Sequence, residues 1–305
     1  MKKEKIAVVM GGISNEREIS LASGAGVSSA LERLGYSFKQ IDLTQDLSEF
    51  VKELTDYQPD IVFNALHGHF GEDGHIQSLL NNLHIPYTHS GVEASAIGMD
   101  KAQTKEIAKQ IGVPVADGDL KTKEQMLADG FPLPYVAKPN DEGSSLDVHI
   151  VKTPEEHINL LNQWPQGTKY LVETYIPGHE LSVAVLNNQV LGTIEIVPKT
   201  GFYDYTNKYT DGQTSHLTPA PLPEKDAEKI EQYALAVHQA LGCRGVSRCD
   251  FRYDDTNKEQ PKIVFLEINT NPGMTPLSLV PDIAKSKKIT YDALVNELLK
   301  EATCD

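Results

Sequence analysis

The chain has 305 residues, enough for two or three modest domains each with its own core, and its 40% apolar and 23% charged content is that of a globular protein. A formal net charge of −15 excludes a general nucleic-acid binder, so any anionic ligand has to be met by local cations or a metal. Cys243, Cys249 and Cys304 are odd in number and lack metal-ligand spacing, which points to a reducing compartment, and with no signal-peptide core and no apolar run of membrane length a cytoplasmic location is expected.

Ile6–Met10 reads as a buried strand and Gly11-Gly12 as the turn after it. Asn15–Leu34 follows as a helix with Ile19, Ala22, Val27, Ala30, Leu31 and Leu34 apolar. Asn15 and Glu18 are spaced as a capping pair. Strands at Tyr36–Ile41 and Ile61–Leu66 complete a βαβ pattern, which predicts a parallel sheet flanked by helices. The glycine turn lacks G-x-G-x-x-G, so NAD binding is not indicated. Ligands of open α/β sheets bind beyond the C-terminal strand ends, where Ser14–Glu18 and His67–Gly74 fall. Glu16 suits a substrate ammonium, or equally the positive end of the helix dipole. His67 is placed to donate or accept a hydrogen bond beside it. Without a second ligand at metal spacing, His67 and His69 read as loop histidines rather than metal ligands.

A domain boundary is expected near Ser90–Gly98, then Lys101, a helix over Ala102–Ile111 and a strand over Tyr135–Pro139. Lys138 near the end of that strand precedes Asn140-Asp141-Glu142-Gly143-Ser144-Ser145. A lysine beside a Gly/Ser loop can hold phosphate through its charge and the loop N–H groups, although the same residues suit a plain surface loop. It is not a Walker A loop. After a helix over Pro154–Trp164, the strand from Lys169 runs through Glu173 into Ile176-Pro177-Gly178. That bend reads either as strand–turn–strand or as an adenine-pocket edge, with Glu180 accepting from ribose hydroxyls. Strands at Leu181–Leu186 and Val190–Val197 continue an antiparallel sheet. Lys199–Pro223 has no periodicity and carries Tyr203, Tyr205 and Tyr209, which fits a lid loop better than disorder. Helices are predicted over Glu224–Leu241, Leu277–Lys285 and Tyr291–Glu301.

Gly245–Thr275 reads as a β-hairpin whose turn is Asp254–Lys258 and whose centre falls near Lys258. A symmetric hairpin sets Asp250 across from Glu267 and Arg248 across from Asn269, with all four on one face by strand alternation. Two carboxylates and an amide are oxygen donors of the kind Mg²⁺ takes alongside substrate phosphates, and Arg248 beside them can stabilise charge on a transferring phosphoryl group. A surface hairpin with ordinary ion pairs is the alternative. The apolar run Ile263–Leu266, ending abruptly in Glu267 and Asn269, argues against it.

Seven stretches in order resemble the D-alanine–D-alanine ligases of the ATP-grasp superfamily over essentially the whole chain: G-G-I-S-N-E-R-E-I-S, A-L-H-G-H-F-G-E-D-G, G-M-D-K, A-K-P-N-D-E-G-S-S, F-Y-D-Y-T-N-K-Y, S-R-C-D-F and L-E-I-N-T-N-P-G-M-T-P-L-S-L-V. The resemblance implies a three-domain ATP-grasp α/β fold. An N-terminal parallel-sheet domain (1–95) would be followed by central (96–182) and C-terminal (183–305) α+β domains, with a lid loop at 199–223. It implies ATP-dependent joining of two D-alanines through an acyl phosphate, for peptidoglycan precursor synthesis. Partners would be D-alanine and ATP, with two Mg²⁺ ions for which Mn²⁺ can substitute, no nucleic acid or membrane partner, and a homodimer as the expected assembly. D-alanine–D-lactate ligation, or another ATP-grasp carboxylate–amine ligation, is the alternative.

Carried over residue by residue, the resemblance gives Asp250, Glu267 and Asn269 to the metals and Lys101 and Lys138 to the phosphates. Glu173, Ile176 and Glu180 would line the nucleoside pocket, with Lys208 also near the nucleotide. Glu16, beside His67, would hold the first D-alanine's ammonium. Arg248 and the Gly273 backbone would stabilise the acyl phosphate and the tetrahedral intermediate, and Ser278, Leu279 and Lys208 would meet the second D-alanine. Glu16, Ser144 and Tyr209 would form a hydrogen-bonded set that pins the lid, with Tyr209 standing where many lactate-using relatives carry histidine. The chain departs from the family pattern at Thr174, where a second lysine is usual, at Asp147, where glycine is usual, and at Asn271, where serine is frequent.

Overall fold

The computed structural model describes residues 4–143, 147–199 and 214–305. Its first sheet is built on β1 (Lys5–Gly11), which pairs in parallel with β2 (Ser37–Leu43) and β3 (Ile61–Asn64), as the βαβ pattern predicts. Ile6, Ala7, Val8 and Val9 are all fully buried because both faces of the strand are covered. Ile6 and Val8 pack on α1 (Arg17–Leu34) and on residues near the C-terminal end of the chain. Ala7 and Val9 pack on α2 (Leu47–Tyr57) and α3 (His75–Asn82). Helix α1 stops at Gly35, whose φ of 73° lets its N–H reach the carbonyls of Leu31 and Glu32. The helix starts at Arg17 rather than Asn15, and the expected Asn15–Glu18 cap does not form. Ser14 Oγ instead accepts from the Glu16 N–H (3.1 Å) and donates to the His67 carbonyl (2.7 Å), tying the two loops at the strand ends together.

The stretch expected to hold a boundary, Ser90–Gly98, is mostly helix α4 (Val92–Met99), followed directly by α5 (Lys101–Gln110). Asp100 caps α5 by accepting from Gln103 N–H at 2.9 Å. A four-stranded antiparallel sheet follows, in the order β4 (Gly118–Thr122), β7 (Lys169–Thr174), β5 (Tyr135–Pro139), β6 (His149–Val151). It carries α6 (Lys123–Asp129) and α7 (Pro154–Gln163), each opened by a capping box, Thr122/Gln125 and Thr153/Glu156. Its buried core, including Met126, Tyr135, Trp164, Tyr170 and Val172, is drawn only from residues 126–172. The chain enters and leaves this unit at one place, where Thr174 N–H donates to Asp117 O at 2.8 Å.

The third sheet is antiparallel, in the order β10 (Thr214–Leu217), β9 (Gln189–Pro198), β8 (His179–Leu186), β11 (Val246–Asp254), β12 (Lys262–Asn269). On one face lie α4, α5 and α8 (Glu224–Ala240). On the other lie α9 (Leu279–Ser286), α10 (Tyr291–Lys300) and, through a shared core, the first sheet. β10 falls in the stretch expected to be aperiodic. Four residues give too short a pattern to read, and pairing with β9 is what makes them a strand. Residues 200–213 of the expected lid loop lie outside the described residues. Among the described residues no helix is long and apolar enough to cross a membrane.

Candidate active site

Strands of the second and third sheets, with α1 and the loops that follow β1 and β3, contribute to one cleft of ≈ 1090 Å³. Glu16, His67, Lys101, Lys138, Glu173, Ile176, Glu180, Arg248, Asp250, Glu267, Asn269, Gly273, Ser278 and Leu279 line it. Ser144, Lys208 and Tyr209 lie outside the described residues.

The hairpin forms one wall. β11 and β12 pair in the predicted register, Arg248 opposite Asn269 and Asp250 opposite Glu267. A bulge follows at once: Phe251 pairs with Phe265, so Leu266 is the extra residue and faces the cleft. Arg248 grips Asp250 with two bonds, Nε to Oδ1 at 2.9 Å and a terminal nitrogen to Oδ2 at 2.8 Å. Ser182 Oγ on β8 donates to Asp250 Oδ1 at 2.5 Å. Asn269 Nδ2 lies 3.3 Å from Asp250 Oδ2, and Lys101 Nζ lies 3.5 Å from Glu267 Oε2. Two carboxylates and an amide on one strand face fit Mg²⁺, which takes oxygen donors and leaves positions to ligands from outside. Among the described residues no three His, Cys, Asp or Glu side chains converge on one point.

The lysines come from α5 and β5. Lys138 on β5 lies 2.7 Å from Glu173 Oε1, and Lys105 Nζ on α5 lies 2.7 Å from Glu173 Oε2. Burial works against each charge, but the flanking ammoniums prevail for Glu173 and hold its pKa down to about 2. Burial prevails for Lys105, lowering it to about 8, whereas the carboxylates of Glu173 and Glu267 keep Lys138 above the usual lysine value. Lys101 Nζ donates to the Glu142 carbonyl at 2.6 Å, which anchors the Gly/Ser loop to α5. Asp147, where glycine is usual, keeps a left-handed φ of 54° that aspartate tolerates. His149 Nε2, at 2.8 Å, and the Tyr170 hydroxyl hold its carboxylate.

At the first sheet the Glu16 carboxylate sits between two glycines. A methyl group on either Gly68 or Gly143 would come within 2.7 Å of Glu16 Oε2. Both loops therefore approach this carboxylate so closely that a side chain at either glycine would require Glu16 to move. Sequence reading placed His67 to donate or accept a hydrogen bond beside Glu16. Its Nδ1 pairs with Glu72 (2.9 Å) and its Nε2 with Ser23 Oγ (3.0 Å). Burial disfavours the imidazolium, but Glu72 and Glu16 outweigh it and raise the His67 pKa. Gly273 leads into a turn where Ser278 Oγ accepts from Thr275 N–H at 3.1 Å.

A family model described as the D-ala D-ala ligase C-terminus matches residues 102–300, and one described as its N-terminus matches residues 49–90. The chain belongs to the D-alanine–D-alanine ligase family. A family member from Paramagnetospirillum magneticum is 48% identical over 305 residues, covering 99% of both chains, and one from Chelativorans is 49% identical over 310 residues, covering 100% of this chain and 99% of its own. The crystal structure of the Bacillus anthracis D-alanine–D-alanine ligase superposes with a TM-score of 0.84 at 31% identity, covering 98% of this chain and 97% of that one. The same enzyme complexed with ATP gives a TM-score of 0.82 at 30% identity over 99% of this chain and 97% of that one. The architecture is thus the α/β ATP-grasp arrangement of the ligase family.

Sequence reading missed residues that support the lining. Lys105, Ser23 and Ser182 stand behind it, Glu72 and Arg252 belong to it, and each holds a lining residue in place. Arg252 binds the carbonyls of Ile176 (3.1 Å) and Gly178 (2.7 Å) and the Glu180 carboxylate (3.3 Å), fixing the bend at the expected adenine edge. Its only sequence signal is its alternation with Arg248 and Asp250 on the same strand face.

Proposed function

We propose that the chain joins two D-alanines at the expense of ATP, supplying D-alanyl-D-alanine for peptidoglycan precursors and releasing ADP and phosphate. The observation that carries this reading is the convergence of Asp250, Glu267, Asn269 and Arg248 with Lys101, Lys138 and Glu16 on one cleft of a chain of this family. A carboxylate is a poor electrophile, so the first D-alanine is phosphorylated before it is attacked. Glu16 holds that substrate's ammonium, and Lys101 and Lys138 hold ATP phosphates. Arg248, fixed by Asp250, faces the transferring group and the acyl phosphate. Asp250, Glu267 and Asn269 would hold two Mg²⁺ ions, with Mn²⁺ able to substitute; the metal supplies charge neutralisation across the phosphates. Gly273 N–H would meet the oxyanion formed on the first D-alanine's carbonyl as the second attacks, and Ser278, Leu279 and Lys208 would meet the second D-alanine. The neutral amine attacks and phosphate leaves. Ser144 and Tyr209, with Glu16, would keep water from the acyl phosphate.

We further propose a division of labour at residues 1–95, 96–182 and 183–305, a homodimer, and a cytoplasmic location. The test of function is phosphate release from ATP with D-alanine against L-alanine, D-serine and D-lactate across about pH 6 to 9, where histidine titrates and amines begin to lose protons. D-alanine should be preferred throughout and dipeptide synthesis should rise with pH. Mainly depsipeptide from D-alanine plus D-lactate would overturn the reading of the second substrate and of Tyr209.

A further inference from the structure

Lys105 lies one helical turn beyond Lys101 on α5, with a side chain only 5% exposed. Its ammonium donates to the Phe265 carbonyl on β12 at 3.3 Å and contacts Glu173 Oε2 on β7 at 2.7 Å. The other oxygen of Glu173 lies 2.7 Å from Lys138 Nζ, and the Glu173 side chain is 3% exposed. Three buried charges therefore stand in a row, ammonium, carboxylate, ammonium; Lys138 and Glu173 line the cleft, and Lys105 stands behind them.

We propose that Lys105 is a positioning residue for the nucleotide phosphates: it neutralises Glu173 from behind, so that Glu173 orients Lys138 without cancelling its charge. The inference rests on the reading of Lys138 as a phosphate ligand. With Lys105 the row carries one net positive charge toward the cleft. Without it, Glu173 and Lys138 form a neutral pair facing an anionic ligand. Water screens poorly at this depth, so the loss is felt at the phosphate. Glu267 and Glu180, the other carboxylates acting on Lys138, stay in both cases and make the cation behind Glu173 more necessary.

The test is ADP binding by calorimetry at fixed Mg²⁺, with steady-state kinetics in ATP, on the full chain. Lys105→Met and Lys105→Gln should each weaken ADP binding and raise KM for ATP about tenfold, with kcat within about threefold. Lys105→Arg keeps the charge and should stay within about threefold of wild type in both quantities. If the methionine variant does not fold, the glutamine and arginine pair carries the comparison, because glutamine keeps a donor to Glu173 but not the charge. In a Glu173→Gln background the Lys105→Gln change should cost less than about twofold, since the carboxylate it serves is gone. Wild-type ADP affinity in Lys105→Gln, or an equal loss in both backgrounds, would overturn the inference. Lys138→Met separates the two readings. ADP affinity unchanged there would overturn the phosphate assignment itself, whereas a loss there with none in Lys105→Gln overturns only the role of Lys105.

Discussion

At the scale of single residues, Glu267 and Glu173 are both cleft carboxylates but have opposite surroundings. Glu267 is partly open, with Lys101 3.5 Å away, and lines the cleft. We expect Glu267→Gln to lower phosphate release by about 10²-fold or more, the scale on which a transition-state charge contact counts. The melting temperature should stay within about 3 °C of wild type. Near wild-type turnover at limiting Mg²⁺ would remove Glu267 from the metal set. Glu173 is buried between two lysines and its loss should be structural. Glu173→Gln should destabilise by about 3–5 kcal/mol at pH 7, because two buried ammoniums lose their shared partner. The sign with pH follows from its lowered pKa. The carboxylate's contribution is complete above its ordinary value of 4.5 and disappears as pH falls toward about 2, so urea midpoints of wild type and variant should converge below about pH 4. A gap that stays constant from pH 7 to pH 3 would contradict this. Glu267 was legible in the sequence because an apolar strand ends in it. Lys105 was not, because a lysine in a polar helix reads as solvated until its partner, 68 positions later, is known.

At the scale of elements, the hairpin was readable to the residue up to its bulge. Alternation and a polar turn determine the pairing on either side of the turn, while the bulge at Leu266 leaves no mark in the pattern. Helices α2 and α3 were harder to see because only Phe50 and Leu54 are buried in the first, and one of the three buried residues of the second is Gln77. The bend between β7 and β8 was visible as Pro-Gly, but not what holds it. Gly178 sits at φ 93°, and a methyl group there would lie 2.2 Å from the Tyr253 carbonyl. Arg252 then fills the bend's carbonyls from β11. We predict that Arg252→Ala raises KM for ATP by about tenfold with little change in KM for D-alanine, since three charge-assisted bonds to the nucleoside edge are lost. Equal effects on both substrates would mean that Arg252 supports the whole cleft rather than this bend.

At the scale of the whole molecule, the cores are divided unevenly. The first sheet shares one core with α9, α10 and a face of the third sheet, and Arg33 binds Asp292 across that junction at 2.6 Å. The four-stranded sheet keeps its own core within residues 126–172. Hydrogen exchange should therefore resolve residues 118–173 as a separate opening unit, slowed by ADP with Mg²⁺, while the other two sheets exchange together. Uniform protection across all three sheets would contradict this. The four-stranded unit is contiguous in the chain, but the shared core is not visible in linear order, since it joins Ile6 to Leu298. Asp117 and Thr174 meet backbone to backbone where that unit begins and ends. The intervening residues are thus a loop in the topological sense, inserted between two neighbouring backbone groups. Excision, with a few glycines and serines joining Asp117 to Thr174, should leave a shorter chain that folds once Lys105 is made apolar, because its buried partner Glu173 leaves with the insertion. The excised piece should be open to exchange for the corresponding unit of another nucleotide-binding ligase.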